Sequence, residues 1–169
     1  MPGKNVLMVI APDKFRDEEY FVPREILEKA GHIITVASST GIESRSMFGK
    51  IVKPDKNFLE INSADYDAIV FIGGSGASVY FESTQAHRLA REFNEAGKIV
   101  AAICIAPSIL ANAGLLAGKK ATAYPSQRDN INAFGQYTGS VIEVEGNIVT
   151  ANGPEAVTVF GDKLVEMLG

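Results

Sequence analysis

Four short apolar segments, separated by stretches with helical periodicity, constrain the fold of this chain more than any other feature. They cover residues 5–10, 33–37, 68–72 and 98–103. Each is a nearly continuous run rich in Val, Ile and Ala instead of an alternation of apolar and polar residues. Such runs are typical of parallel strands that helices cover on both faces.

The stretches between these strands carry signals for helix ends. Residues 17–30 begin with three acidic side chains and end just before Gly31, and residues 84–96 end before Gly97 in the same way. Residues 107–116 open with Pro107, whose missing N–H costs nothing in a first turn. This alternation predicts a flavodoxin-like three-layer α/β sandwich, with a mostly parallel sheet between two layers of helices.

The last third of the chain has a different pattern. Residues 141–144 and 147–151 flank Glu145-Gly146, which predicts a small C-terminal β-hairpin. Gly153-Pro154 then precedes a final helix over residues 155–168. The sequence contains no internal repeat or linker, and its 169 residues suit one domain over residues 1–169.

Composition and charge argue against several classes of partner. The net charge of −4 disfavours nucleic acid and anionic membranes as partners. No segment reaches the roughly 18 apolar residues of a membrane helix, and residues 1–4 run into an apolar segment too short for a signal peptide. One cysteine makes neither an internal disulfide nor a multi-thiolate metal site, and a lone free thiol favours a cytoplasmic location.

That cysteine, Cys104, follows a predicted strand and precedes a predicted helix by about three residues. Ligands of open α/β sheets bind outside the carboxyl ends of the strands, and a sharp turn there resembles a nucleophile elbow. The N-terminus of the next helix favours a thiolate, so we expect a thiol pKa below the ordinary value of about 8.5. The alternative is that Cys104 is a small hydrophobic core residue.

Several motifs together resemble the ThiJ/PfpI superfamily, whose fold is that of class I glutamine amidotransferases. The resemblance extends over nearly the whole chain. The family includes intracellular protease-like proteins, glyoxalases and the Parkinsonism-associated deglycases. It implies a site without a cofactor and a homodimer or larger homo-oligomer. The matching motifs are residues 101–104 with Pro107, 113–122, 19–23, Gly31-His32, 66–68, Gly73-Gly74 and Gly153-Pro154.

The resemblance implies roles for residues beyond Cys104. Glu19, four residues before Pro23, corresponds to the family's acidic partner of the cysteine. A carboxylate beside a thiolate would raise both pKa values, so we expect Glu19 to be protonated and to donate a hydrogen bond to the sulfur. The amides of Gly73, Gly74 and Ile105 would form an oxyanion hole.

The glycine-rich segment 73–76 has a second interpretation, as a phosphate cradle. It lacks the third glycine of a dinucleotide-binding fingerprint and does not follow the first strand. A nucleotide-dependent dehydrogenase is therefore disfavoured.

The sequence lacks the histidine that many family members carry near the cysteine. Positions where many members carry this residue hold Ile105 and Tyr124 here. We expect His32 to be a solvated turn residue and His87 to lie on a helix surface or at an interface. Without a nearby imidazole, peptide hydrolysis loses its base and its leaving-group acid. Tyr124 either orients a substrate carbonyl or only packs.

The sequence is compatible with three functions. The first is an enzyme acting on small reactive carbonyls or glycated protein side chains through the Cys104 thiolate and Glu19. The second is a redox sensor or protective, chaperone-like protein that stops at the sulfinic acid of Cys104. The third is a scaffold without catalysis. Arg16, just before Glu19, either binds an anionic substrate group or is a solvated charge.

Overall fold

The apolar runs of the sequence form the centre of a sheet in the computed structural model, which describes residues 3–169. The helices of this part of the chain are α1 (Asp17–Lys29), α2 (Thr84–Glu95), α3 (Pro107–Asn112), α4 (Arg128–Phe134) and α5 (Val157–Leu168). Its strands are β1 (Asn5–Val9), β2 (Asp13–Phe15), β3 (Ile33–Ser38), β4 (Ser44–Ser46), β5 (Ile51–Val52), β6 (Lys56–Asn57), β7 (Ala68–Phe71), β8 (Ile99–Ile103), β9 (Lys120–Ala121), β10 (Gln136–Tyr137), β11 (Ile142–Glu145) and β12 (Ile148–Ala151).

The main sheet has seven strands in the order β11-β12-β8-β7-β1-β3-β6. All neighbouring pairs are parallel except β11 and β12. Every residue of β7 and β8 is buried, as the continuous apolar runs require. The predicted α/β fold with a mostly parallel sheet is confirmed.

Helices cover both faces of this sheet. On one face α1 and α5 pack together, and Tyr20, Leu27 and Phe160 belong to the core beneath them. On the other face α2 and α3 enclose a second core that includes Phe93 and Leu110. The carboxyl ends of the central strands therefore open at one edge between two helical layers.

The predicted hairpin lies at an edge of the main sheet. β11 and β12 pair antiparallel, and β12 also pairs with β8. The residues of the turn are Gly146-Asn147, one position later than predicted, because Glu145 pairs with Ile148. Gly146 has a φ of +62°, which a two-residue hairpin turn requires.

The helix predicted over residues 107–116 is shorter than expected. α3 ends at Asn112, because Gly114 adopts a φ of +83° and the Leu115 amide donates back to the Leu110 carbonyl. The final helix also starts later, since residues 154–156 form a 3₁₀ turn before α5.

Between residues 3 and 169, no helix combines the length and apolar character needed to cross a membrane.

Both histidines are buried, so the predictions of a solvated His32 and a surface position for His87 are wrong, whereas the alternative of an interface role for His87 stays a prediction. The Nδ1 atom of His32 accepts a hydrogen bond of 3.0 Å from the Lys4 amide. The Nε2 atom of His87 lies 2.7 Å from the Phe81 carbonyl oxygen. Each ring pairs one nitrogen with the main chain, which offsets the loss of water on burial.

Candidate functional site

Cys104 occupies a strained turn between β8 and α3. Its φ of +65° lies in the left-handed region, which residues other than glycine rarely adopt. Its amide donates to the Ala151 carbonyl at 3.0 Å, and its carbonyl accepts from the Tyr124 amide at 2.8 Å. These bonds hold the strained conformation that the sequence predicts for a nucleophile elbow.

Glu19 lies in the first turn of α1 and is completely buried. Neither of its carboxyl oxygens has a hydrogen-bond partner of ordinary geometry among the described residues. The Cys104 side chain and the Gly73 amide are nevertheless close enough to act on this carboxyl. Burial disfavours its charged form and raises the pKa of Glu19 to about 7. The structure thus places Glu19 beside Cys104.

The ionisation of Cys104 differs from the prediction. Burial, and next the negative charge of an ionised Glu19, raise the pKa of the thiol to about 12. The amides of Gly74 and Ile105 act in the opposite direction but do not compensate. The prediction of a lowered thiol pKa is therefore wrong, because desolvation and a like charge outweigh the N-terminus of the six-residue helix α3.

Glu19 and Cys104 titrate as a pair. Because each charge disfavours the other, the pair carries one negative charge over the wide range from about pH 7 to about pH 12. That charge resides either on the carboxylate beside a thiol or on the sulfur beside a protonated carboxyl. A proton can pass between the two groups without any change in the net charge of the site.

Main-chain amides surround the pair. Those of Gly74 and Ile105 act on the sulfur, whereas that of Gly73 acts on Glu19. Gly74 has a φ of +104°, and a Cβ atom there would lie 2.6 Å from the Lys14 carbonyl oxygen. Of the three predicted oxyanion donors, the structure brings two to the sulfur.

The site opens into a pocket of about 840 Å³. Its walls come from α1, the elbow, the loops after β7 and β9, and the segment before α5. The lining residues are Arg16, Glu18, Glu19, Met47, Gly74, Ser75, Cys104, Ile105, Tyr124, Pro125, Ser126, Asn152, Gly153, Pro154 and Glu155. No histidine stands among them.

Arg16 and Tyr124 both line this pocket, but Arg16 is held by neighbouring side chains whereas Tyr124 is exposed. The Arg16 guanidinium binds the Glu18 carboxylate, with an Nη2–Oε2 distance of 2.8 Å. It also lies over the Phe48 ring, 5.1 Å from its centroid. Arg16 is therefore not a freely solvated charge. The side chain of Tyr124 is 46% exposed, which leaves it open to a bound molecule.

No sequence pattern predicts one wall of the pocket. Residues 46–50 form a turn, closed by a hydrogen bond from the Ser46 amide to the Lys50 carbonyl, and this turn carries Met47. The buried Asp17 carboxylate holds this turn by accepting hydrogen bonds from the Ser46 hydroxyl at 2.7 Å and the Phe48 amide at 3.2 Å. In the sequence, Asp17 resembles any first-turn acid, so only its contacts distinguish it.

Within residues 3–169, no three His, Cys, Asp or Glu side chains lie close enough together to hold a metal ion.

A parallel α/β sandwich with a cysteine at a strand-to-helix elbow and a buried carboxyl beside it defines a class of cysteine-centred α/β proteins. The sequence matches the DJ-1/PfpI family over residues 4–167, and the chain belongs to this family. The resemblance on which the sequence analysis relied is therefore confirmed.

Relatives in this family have different names. A protein of Methanocaldococcus jannaschii is 38% identical, over 99% of this chain and 84% of its own length. Deglycase PfpI of Pyrococcus furiosus is 32% identical, over 96% of this chain and 98% of its own length. A candidate cysteine protease of Bacillus subtilis is also 32% identical, over 96% and 97%. Deglycase and protease-like names therefore both occur among the relatives.

Solved structures share the fold. A ThiJ/PfpI domain protein from Brachyspira murdochii superposes with a TM-score of 0.95 at 31% identity, over 99% of this chain and 98% of that one. DJ-1beta of Drosophila melanogaster gives 0.91 at 30%, over 98% and 90%. Toxoplasma gondii DJ-1, described as oxidized, gives 0.89 at 32%, over 98% and 91%.

Proposed function

We propose that this protein is a cofactor-free enzyme that converts small reactive carbonyl compounds, or their adducts on protein side chains. Cys104 is the nucleophile and Glu19 transfers protons. The observation that carries this proposal is the buried Glu19 carboxyl beside Cys104 at the pocket. Its pKa is raised to about 7, and no described residue gives it a hydrogen bond of ordinary geometry. The deglycase names of several relatives support the same class of substrate.

The first step is addition to an aldehyde. The Cys104 sulfur forms a bond to the carbonyl carbon while the thiol proton passes to ionised Glu19. The π electrons of the carbonyl move to its oxygen, and the amides of Gly74 and Ile105 supply donors next to the sulfur for that charge. This route does not require a free thiolate, whose formation the pKa of about 12 disfavours.

Glu19 then moves protons on the adduct. It returns its proton to the oxygen, which gives a hemithioacetal. With methylglyoxal it next takes the proton from the former aldehyde carbon and delivers it to the neighbouring ketone carbon. The hemithioacetal hydroxyl proton passes to the former ketone oxygen, which leaves a thioester and a new hydroxyl group. Water cleaves the thioester to a hydroxy acid and restores the thiol. A carboxyl with a pKa of about 7 suits both directions of transfer at neutral pH.

Peptide hydrolysis has less support. A leaving amine needs a proton from a group such as imidazole, and none of the lining residues is a histidine. His32 and His87 lie elsewhere, each with a ring nitrogen paired to the main chain.

A redox function is the second candidate, favoured by the position of the sulfur. Cys104 lines an open pocket and has a carboxyl neighbour that can hold a hydrogen bond to an oxidised sulfur. With hydrogen peroxide as oxidant, two equivalents would each give one oxygen atom to the sulfur and leave one water, ending at the sulfinic acid. The oxidized form of the Toxoplasma gondii relative is consistent with this chemistry.

Methylglyoxal consumption tests the first proposal. We expect Cys104→Ser to abolish turnover and Glu19→Gln to lower kcat by at least about 100-fold, the usual contribution of a general acid–base group. Glu25→Gln, an exposed carboxyl on the same helix, is the matched control and should leave kcat unchanged. A wild type without turnover that gains two oxygen atoms in peroxide would favour the redox function. A wild type that does neither would contradict both.

A further inference from the structure

Arg16 is the one cation among the residues that line the pocket, and Glu18 holds it. Three contacts join the two side chains: Arg16 Nε lies 3.2 Å from Oε1 and 3.1 Å from Oε2 of Glu18, and Nη2 lies 2.8 Å from Oε2. The Arg16 side chain is only 28% exposed and lies over Phe48. The guanidinium therefore faces a carboxylate in the first turn of α1, the helix that begins just after Arg16, and this carboxylate offsets its charge.

The remaining charges of the pocket are negative. Glu155 lines it with an exposed carboxylate, and above about pH 7 the Glu19–Cys104 pair carries one negative charge. The other lining residues carry no charge. An anionic molecule that approaches Cys104 thus meets net negative charge, whereas an uncharged one meets hydroxyl, amide and main-chain groups.

We propose that Glu18, by holding Arg16, makes this pocket selective for uncharged carbonyl compounds and against those that bear a carboxylate or phosphate group. The substrate class rests on the proposed function, but the selection by charge does not. It concerns any small molecule that reaches the Cys104 sulfur. Glu18 acts here as a specificity-determining residue, and its removal would free Arg16 for an anionic group.

Alkylation of Cys104 tests this selection without any turnover. Iodoacetamide is uncharged and iodoacetate is an anion, and both alkylate sulfur by displacing iodide. We compare their second-order rate constants at about pH 9.5, where Arg16 keeps its charge. Glu18→Gln should raise the iodoacetate-to-iodoacetamide ratio about three- to thirtyfold, the effect of removing one charge a few ångströms from the path. The double variant Arg16→Gln with Glu18→Gln should return the ratio close to that of wild type.

Glu155→Gln is the matched control, because it also removes one negative charge from the lining but leaves Arg16 held. We expect it to raise the ratio by less than Glu18→Gln does. An unchanged ratio in Glu18→Gln, or an equal rise in Glu155→Gln, would overturn the proposal. If neither reagent alkylated Cys104, the proposal would also be overturned, because the sulfur would then be inaccessible to both.

A second readout applies if the enzyme turns over glyoxal. Glyoxylate carries a carboxylate where glyoxal carries its second aldehyde, so Glu18→Gln should raise kcat/KM for glyoxylate relative to glyoxal. A protein without turnover whose alkylation ratio responds as expected would contradict the enzyme proposal alone. A protein with turnover whose ratio does not respond would contradict the charge selection alone.

Discussion

Gly73 and Cys104 approach each other so closely that a Cβ atom on Gly73 would lie 2.6 Å from the Cβ atom of Cys104. The same atom would lie 2.7 Å from the Ile103 carbonyl oxygen and would overlap Oε1 of Glu19. The absence of a side chain at position 73 therefore allows the carboxyl and the elbow to pack together.

Gly73→Ala should disturb both stability and the site. The added methyl group meets the Ile103 carbonyl oxygen and the Cys104 Cβ atom, which the backbone holds in place, so we expect a loss of about 2 kcal/mol in the free energy of unfolding, as for other overpacked positions. Alkylation of Cys104 should change as well, because Glu19 must shift. Denaturant unfolding and iodoacetamide kinetics measure the two effects. Gly97→Ala, with no atom within 4 Å of its new Cβ, should leave the alkylation rate unaltered.

The stability of the protein should fall between about pH 5 and pH 8 because of Glu19. Its folded pKa of about 7 lies above the ordinary 4.5, so its contribution is complete below pH 4.5 and is lost as pH rises through 7. At about 1.4 kcal/mol for each pH unit, the loss is about 3 kcal/mol. Urea unfolding of wild type and Glu19→Gln at several pH values measures it. Equal pH dependence in both proteins would contradict the raised pKa.

Glu19→Gln should lower the pH at which Cys104 becomes reactive. The variant removes the negative charge that helps to raise the thiol pKa to about 12, while burial still keeps the pKa above its ordinary value. Iodoacetamide rates measured against pH give the midpoint in each protein. A midpoint that rises in the variant would instead mean that a protonated Glu19 activates the sulfur in the wild type.

Tyr124→Phe tests whether this hydroxyl contacts substrate. If it donates a hydrogen bond to the carbonyl, kcat/KM for methylglyoxal should fall about three- to tenfold, the value of one such bond. The thermal midpoint should stay the same, because the side chain is 46% exposed. Unchanged kinetics would mean that Tyr124 only packs.

Tyr80→Phe should destabilise the loops at the carboxyl edge of the sheet. The Tyr80 hydroxyl donates to the Ile10 carbonyl at 2.7 Å and accepts from the Ser39 amide at 3.0 Å. Its removal leaves two main-chain groups without a partner, at a cost of about 2 kcal/mol. Denaturant unfolding measures this loss, with Tyr124→Phe as a control of the same chemistry. A loss equal to that of the control would show that water replaces the hydroxyl.

Much of the fold follows from short-range patterns. The runs at 68–72 and 98–103 are buried strands because continuous apolar sequence fits only a sheet covered on both faces. The sequence-based predictions are wrong at the ends of helices and strands, where a single residue decides where the element stops. Gly114 ends α3 four residues before the predicted end, since its φ of +83° cannot continue a helix.

The sequence by itself determined the α/β fold, the elbow at Cys104 and the absence of histidine from the two family positions, because these depend on local pattern and residue identity. Tertiary structure alone decided the ionisation of Glu19 and Cys104 and the position of Arg16 over the Phe48 ring. A pKa depends on how much water and which charges surround a group. Those surroundings come from segments far apart in the chain, which no local pattern records.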